Sequence, residues 1–205
     1  VVGLVGPASI LKKELERVRT WQPFTEIEAD ALDGAAKTML YLDSAVQSIQ
    51  YDNQSFNEDT PTEADQNRVI AKSELTQAER IVLHECIAGI QLTKRAITSY
   101  SESGFDATHI ANIPKILGTV RGGLQMMKHP KAASIVDNCA QFVDQILLHS
   151  DQPAALKEML ETFADAVISV EYFFDTAEAA SRLDESTLQV AEESLAALGF
   201  PTKVA

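Results

Sequence analysis

Apolar side chains recur at spacings of three and four residues along almost the whole chain. This is the period of an amphipathic α-helix, whereas a half-buried strand alternates every second residue. Glycine and proline, which interrupt helices, number only 9 and 7 among 205 residues. Runs of β-branched residues are short and give no strand pattern. The sequence therefore predicts an all-α protein that folds as an antiparallel helical bundle.

The spacing predicts seven helices, and proline or glycine marks several of their ends. Pro114 lies inside the fourth of them and predicts either a kink or a fresh start, whereas Pro130 and Pro153 occupy favoured first-turn positions. The second helix is expected to bury a stripe that includes Leu32, Met39 and Val46. The predicted helices cover residues 8–21, 25–49, 67–101, 107–127, 130–149, 153–177 and 185–198.

Residues 51–66, YDNQSFNEDTPTEADQ, are polar, acidic and interrupted by proline. That composition is typical of a linker rather than of a packed element. We therefore predict the closing helices of one module in residues 1–50, a linker in 51–66 and a complete module in 67–201.

An internal repeat supports two related modules. The segment from Asp33 to Asp43 can be laid over the segment from Asp165 to Asp175, with both aspartates displaced by 132 residues. In each copy, apolar or aromatic residues precede the second aspartate and small residues follow it. Chance similarity between two amphipathic helices is the alternative explanation. The aromatic run Tyr172-Phe173-Phe174 in the second copy is predicted to be core.

Charge and cysteine content exclude several classes of function. A formal charge of −13 argues against nucleic acid or an anionic membrane as a partner. Cys86 and Cys139 lie far apart in apolar surroundings, so buried thiols are expected rather than a disulfide, and nothing suggests a metal site or a cofactor. The apolar start is far shorter than a membrane span. We expect a cytoplasmic protein and, since no initiator methionine is present, a fragment of a longer chain.

Residues 107–127 have a clear inward and a clear outward side. The inward stripe alternates spacings of three and four and consists of Ile110, Ile113, Leu117, Val120, Leu124 and Met127. Gly118, Arg121, Gly122 and Gln125 follow the spacing i, i+3, i+4, i+7 and so share one outward face, which we predict to be a binding surface. Glycine in a helix costs about 1 kcal/mol relative to alanine. The presence of Gly118 and Gly122 is explained either by the close approach of a partner or by tight packing between helices of the bundle. Tight packing between helices is the plausible explanation for Gly123.

This stretch resembles the histidine phosphotransfer family, whose four-helix bundles present an exposed histidine in a pattern close to H-x-x-K-G. Gly118 occupies the histidine position, Arg121 the lysine position and Gly122 the glycine position. The resemblance implies that the cation faces a phosphate and that the small residue admits a receiver domain. It also implies a four-helix bundle with additional helices.

A wider resemblance includes Ile90 to Gly104 with Phe105-Asp106, the segments 163–166 and 170–174, and VAEESLAALGFP from Val190 onward. These segments are similar to the modular N-terminal region of the CheA-like kinases of type IV pilus chemosensory systems, of the ChpA or PilL type, and to the related FimL proteins. The resemblance implies a parent histidine kinase that controls twitching motility. Its implied partners are response-regulator receiver domains and other modules of the same kinase.

Glycine has no nucleophile, so no phosphohistidine can form at position 118. Our first hypothesis is thus a non-phosphorylatable phosphotransfer-like module that acts as a docking or spacer scaffold and is not itself an enzyme. A second is an active phosphotransfer domain that uses another histidine, such as His84, although no lysine-glycine pair follows it. A third is a stand-alone FimL-like adaptor.

Overall fold

The structure, a computed structural model, describes residues 5–22, 26–52, 62–149, 153–180 and 183–202. Within these ranges there are helices and no strands, which confirms the all-α prediction. The helices are α1 (Val5–Arg19), α2 (Ala29–Asp52), α3 (Glu63–Glu102), α4 (Ile113–Met126), α5 (Pro130–Phe142), α6 (Pro153–Ala180) and α7 (Gln189–Ala197). Single 3-10 turns cover Ala107–His109 and Glu185–Leu188, and a π-helical turn covers Val143–Leu147.

The chain divides into two compact units, Val1–Ala78 and Glu79–Ala205, with the division inside α3. In unit 1, α2 buries Tyr41 and Ala45, and Ser73 of α3 donates a 3.1 Å hydrogen bond to Gln47 of α2. The stripe expected to be inward on α2 was wrong in part. The large side chains of that stripe, Leu32, Met39 and Val46, are exposed. The buried side of α2 consists instead mainly of small and polar residues.

Unit 2 is an antiparallel bundle of the second part of α3 with α4, α5 and α6, and α7 packs on α5 and α6. A Cβ at Gly89 would meet Val120, and one at Gly123 would meet Cys86. Because the order of contacts reverses between the two helices, α3 and α4 are antiparallel.

The pairing of α5 with α6 is antiparallel by the same reasoning. The rings of Phe142 and Phe163 lie 4.9 Å apart, whereas the ring of His129, before α5, lies 6.3 Å from that of Phe173. Helix α5 contacts both α4 and α6, and α3 contacts α4 beside Gly123 and α6 through Lys94 Nζ, which lies 2.7 Å from Glu171. Helices α4 and α6 therefore occupy opposite corners of the bundle.

Helix α4 makes a fresh start at Pro114, which occupies its first turn. Before it, the side chain of Asp106 accepts a 2.9 Å hydrogen bond from Thr108 N and caps a separate 3-10 turn. At the other end of unit 2, Gly199 stops α7 with φ of +89°. The ends that glycine and proline predicted are therefore present.

Several helix ends differ from the sequence prediction, and two of the differences have a clear physical reason. Helix α3 begins at Glu63 rather than at residue 67, because Thr62 and Asp65 cap its first turn reciprocally: Asp65 Oδ2 accepts from Thr62 N at 3.1 Å, and Thr62 Oγ1 accepts from Asp65 N at 3.3 Å. Regular α5 ends at Phe142, where the π-helical turn takes over.

Both thiols are buried, as predicted. Burial disfavours the thiolate and raises the pKa of Cys86 to about 11 and that of Cys139 to about 12. Neither group is therefore a nucleophile at neutral pH.

The two copies of the internal repeat have similar burial. Tyr41 and Phe173 are both fully buried at the matching position, and the flanking aspartates are exposed in both copies. Phe173 and Phe174 are core residues as expected, but Tyr172 is 58% exposed. That part of the prediction was wrong, because successive helical residues are about 100° apart and three of them cannot all point inward. Within the described ranges, no helix is both long and apolar enough to span a bilayer.

Candidate docking surface on helix α4

The apolar stripe of residues 110–127 is buried as predicted. Its first five residues are at most 2% exposed, and Met127 packs at the edge of the same core. They contact α3 on one side and α5 on the other. The rotation of α4 about its axis is thus determined by the core. It leaves the opposite side of the helix to solvent, and that side carries Lys115, Gly118, Arg121, Gly122 and Gln125, which we call the α4 face.

The glycines of this region fall into two groups with opposite surroundings. A Cβ built on Gly123 would lie 2.7 Å from Cys86 Sγ and 2.9 Å from Val82 Cγ1, so Gly123 permits close packing of α3 on α4. Gly118 and Gly122 have no atom within 4 Å of such a Cβ. Internal packing therefore explains Gly123 and leaves Gly118 and Gly122 unexplained.

Arg121 forms an ion pair on the surface of the bundle. Its Nη1 donates a 2.7 Å hydrogen bond to Asp137 Oδ1 on α5, and Asp137 Oδ2 accepts a 3.0 Å bond from Gln141. The Arg121 side chain is 45% exposed, so a surface pair of this kind contributes little stability, on the order of 0–1 kcal/mol. Arg121 therefore has a local carboxylate partner and still presents guanidinium N–H groups to solvent.

The α4 region is basic in an otherwise acidic chain. Between Ala107 and Val136 there is no Asp or Glu, so all 30 acidic residues lie elsewhere. The basic residues there are Lys115, Arg121, Lys128 and Lys131; Lys131 pairs with Glu192 at 3.0 Å. Lys115 and Lys128 are exposed and form no ion pair within the described ranges. This concentration of positive charge was readable from the sequence and favours an acidic partner.

The histidines have ordinary structural surroundings. His84 is exposed on α3, and His109 is exposed at the end of a 3-10 turn. His129 precedes α5 with Nδ1 3.4 Å from Glu185 Oε1, whereas His149 Nδ1 lies 2.7 Å from the carbonyl oxygen of Asp144. None of them lies on α4. The described residues also contain no group of three or more side chains suited to a metal ion.

The chain should therefore take up no acid-labile phosphate when it is incubated with a chemosensory kinase domain, ATP and Mg²⁺. The physical reason is that Gly118 supplies no nucleophile at the position that the phosphotransfer pattern requires. Phosphate retained after a base chase and lost in acid is the readout, with His84→Ala as the control. Labelling that disappears in His84→Ala would instead support the active phosphotransfer alternative.

The larger part of the chain matches a known protein family. The sequence family of the FimL C-terminal domain matches residues 73–195, which contain all of α4, α5 and α6. The chain belongs to the FimL family. Of the relatives that the sequence resemblance implied, FimL is thus confirmed.

Scaffold protein FimL of Pseudomonas aeruginosa is 34% identical to this FimL-family chain over 204 residues. The alignment covers 98% of the chain and 36% of that relative, so the chain spans about a third of the length of the curated protein it matches. No solved structure matches the chain.

Proposed function

We propose that this chain is part of a non-catalytic scaffold in a type IV pilus chemosensory system, and that its α4 face docks the receiver domain of a response regulator. The observation that carries the proposal is the pair Gly118 and Gly122, which lie on the outer side of a helix with open space around them. Membership of the FimL family favours an adaptor over a module of a histidine kinase. The first 50 residues would then be the closing helices of a related module. The proposed location of the protein is the cytoplasm, where its proposed receiver-domain partner acts.

The open glycines give a reason for close approach. Each costs about 1 kcal/mol of helix stability relative to alanine, and no contact within unit 2 requires either of them. Without a Cβ, the backbone of α4 forms a shallow depression one turn long. A partner helix or loop can approach the backbone of α4 more closely here than at a turn whose residues carry side chains.

The charge of the α4 face gives a reason for an acidic partner. Arg121 and Lys115 lie at the two edges of the α4 face, about 120° apart at 100° per residue, in a stretch that has no acidic residue between Ala107 and Val136. Such complementarity raises association rates and selects the orientation of binding. The Arg121–Asp137 pair holds the guanidinium beside the depression, and a partner carboxylate could exchange with Asp137 at little cost.

Charge reversal at Arg121 tests this proposal. In a titration of labelled receiver domain, Arg121→Glu should weaken binding at least about tenfold, which is about 1.4 kcal/mol. The effect should shrink as salt is raised, because exposed charges are screened. Affinity is measured by fluorescence anisotropy.

Two control variants separate docking from structure. Lys157→Glu makes the same change in net charge on α6 and should leave affinity within about twofold of wild type. Asp137→Asn removes the partner of Arg121 without reversing the α4 charge, and it should bind at least as well as wild type. Equal affinity for wild type and Arg121→Glu would show that the α4 face is not the docking surface.

A further inference from the structure

Helix α6 exposes two large apolar side chains on its outer side. Ile168 is 52% exposed and Tyr172 is 58% exposed, although Phe173 and Phe174 beside them are fully buried. Ile168 and Tyr172 are four residues apart, so their side chains are neighbours on the helix surface. Scattered apolar exposure needs no explanation, but an adjacent pair that includes tyrosine has the composition of an interface centre.

Acidic residues surround this pair. Glu161, Asp165 and Asp175 are exposed and fall, with Ile168 and Tyr172, within an arc of about 80° at 100° per residue. We call these five residues the α6 face. None of the three carboxylates makes an ion pair within the described part of the chain. The arrangement is an apolar centre with an acidic rim.

Neither neighbouring helix covers the α6 face. Helix α7 packs against a different side of α6, where Ser169 Oγ donates to Thr187 O at 3.1 Å and accepts from Ala191 N at 3.3 Å. Helix α3 approaches from the other side, where Lys94 Nζ lies 2.7 Å from Glu171. The α6 face lies between these two contacts and is open to solvent.

The charge of the α6 face identifies the class of its occupant. Helix α6 as a whole contains six acidic residues and one basic residue. Nucleic acid would be repelled by this negative charge, and two α6 faces would repel each other. A basic protein segment with apolar side chains satisfies both parts of the face: apolar side chains cover Ile168 and Tyr172, and lysine or arginine pairs with the rim.

We propose that the α6 face is a second docking surface of this chain, and that it binds a basic amphipathic helix of a partner protein. Helices α4 and α6 occupy opposite corners of the bundle, so the two faces point away from each other. Unit 2 can therefore hold an acidic partner on α4 and a basic partner on α6 at the same time. The α6 proposal is independent of receiver docking, since the two faces share no residue.

The test uses the whole chain and a defined probe. A fluorescein-labelled helical peptide built only of leucine and lysine is titrated with wild type and with the double variant Ile168→Ala/Tyr172→Ala. The double variant should bind at least about tenfold more weakly, because truncation of central interface residues removes most of the binding energy. Asp165→Asn/Asp175→Asn should weaken binding mainly at low salt.

Four controls accompany this test: two variants, a second peptide and thermal melts. Arg121→Glu, on the α4 face, and Val190→Ala, an exposed apolar residue on α7, should both bind the peptide within about twofold of wild type. A leucine-glutamate peptide should not bind. Thermal melts of the variants should match wild type, since every altered side chain is exposed.

Several results would overturn the proposal. One is equal affinity of the peptide for wild type and for the double Ile168/Tyr172 variant, and another is comparable binding of the leucine-glutamate peptide. Sedimentation of wild type as a dimer and of the double variant as a monomer would assign the α6 face to a second copy of the chain instead.

Discussion

Gly123→Ala and Gly89→Ala should each destabilise unit 2 by about 1–2 kcal/mol, although alanine is the better helix former. A Cβ on Gly123 would lie 2.7 Å from Cys86 Sγ, and one on Gly89 would lie 2.6 Å from Val120 Cγ2. These neighbours are short or β-branched side chains in a buried core, so relief requires movement of α3 away from α4. Overpacking of this kind costs about 1–3 kcal/mol, which exceeds the gain in helix propensity of about 1 kcal/mol.

Gly118→Ala and Gly122→Ala are the matched controls in the same helix. Both positions have open space around the added methyl group, so each substitution should stabilise the fold by about 0.5–1 kcal/mol. Urea denaturation followed by circular dichroism measures the difference. The labelling rate of Cys139, whose thiol is buried in unit 2, gives a readout restricted to that unit. If all four variants were stabilised alike, the close contact between α3 and α4 would be wrong.

Gly118→Leu/Gly122→Leu should abolish docking on α4 and leave the fold intact. Leucine is a good helix former, and both side chains would extend into solvent from the outer side of the helix. They would fill the depression that a receiver domain is proposed to enter, and misfit at an interface centre costs far more than at its rim. We expect receiver affinity to fall by at least about a hundredfold, measured by the same anisotropy titration.

Receiver binding should depend on the size of the side chain at positions 118 and 122. Gly118→Ala/Gly122→Ala should weaken receiver binding by less than the leucine pair, because one methyl group obstructs less of the depression. The leucine-lysine peptide should bind wild type, the alanine pair and the leucine pair alike, since α6 is unchanged. A folded leucine variant that still binds the receiver as wild type does would exclude close approach at Gly118 and Gly122.

Much of the fold could be predicted from the sequence, because helix periodicity is a local property. The inward stripe from Ile110 to Leu124 follows from spacing alone, and Pro114 and Gly199 mark ends that depend only on backbone chemistry. The start of α3 was also readable, since Thr62 and Asp65 have the spacing of a reciprocal cap. The outward position of Arg121 and Gly122 belongs to this local class.

The remaining features depend on distances between helices. The sequence places Gly123 off the outward face that carries Gly122, but it does not show how closely α3 approaches Gly123. The partner of Arg121 is 16 residues away and is brought near by the turn between α4 and α5. The exposure of Ile168 and Tyr172 likewise requires knowledge of which sides of α6 are covered by α3 and α7.

The separation of charge between opposite corners of the bundle has an electrical consequence. Positive charge on α4 and negative charge on α6 contribute a dipole moment directed across the bundle, in addition to the net negative charge of the chain. A charged partner that diffuses nearby experiences a torque as well as an attraction, so it is turned toward the matching corner before contact. The range of that orientation is set by the Debye length, about 8 Å at physiological ionic strength. Ionic strength would thus act on both corners together, and a rise in salt would slow the capture of either kind of partner.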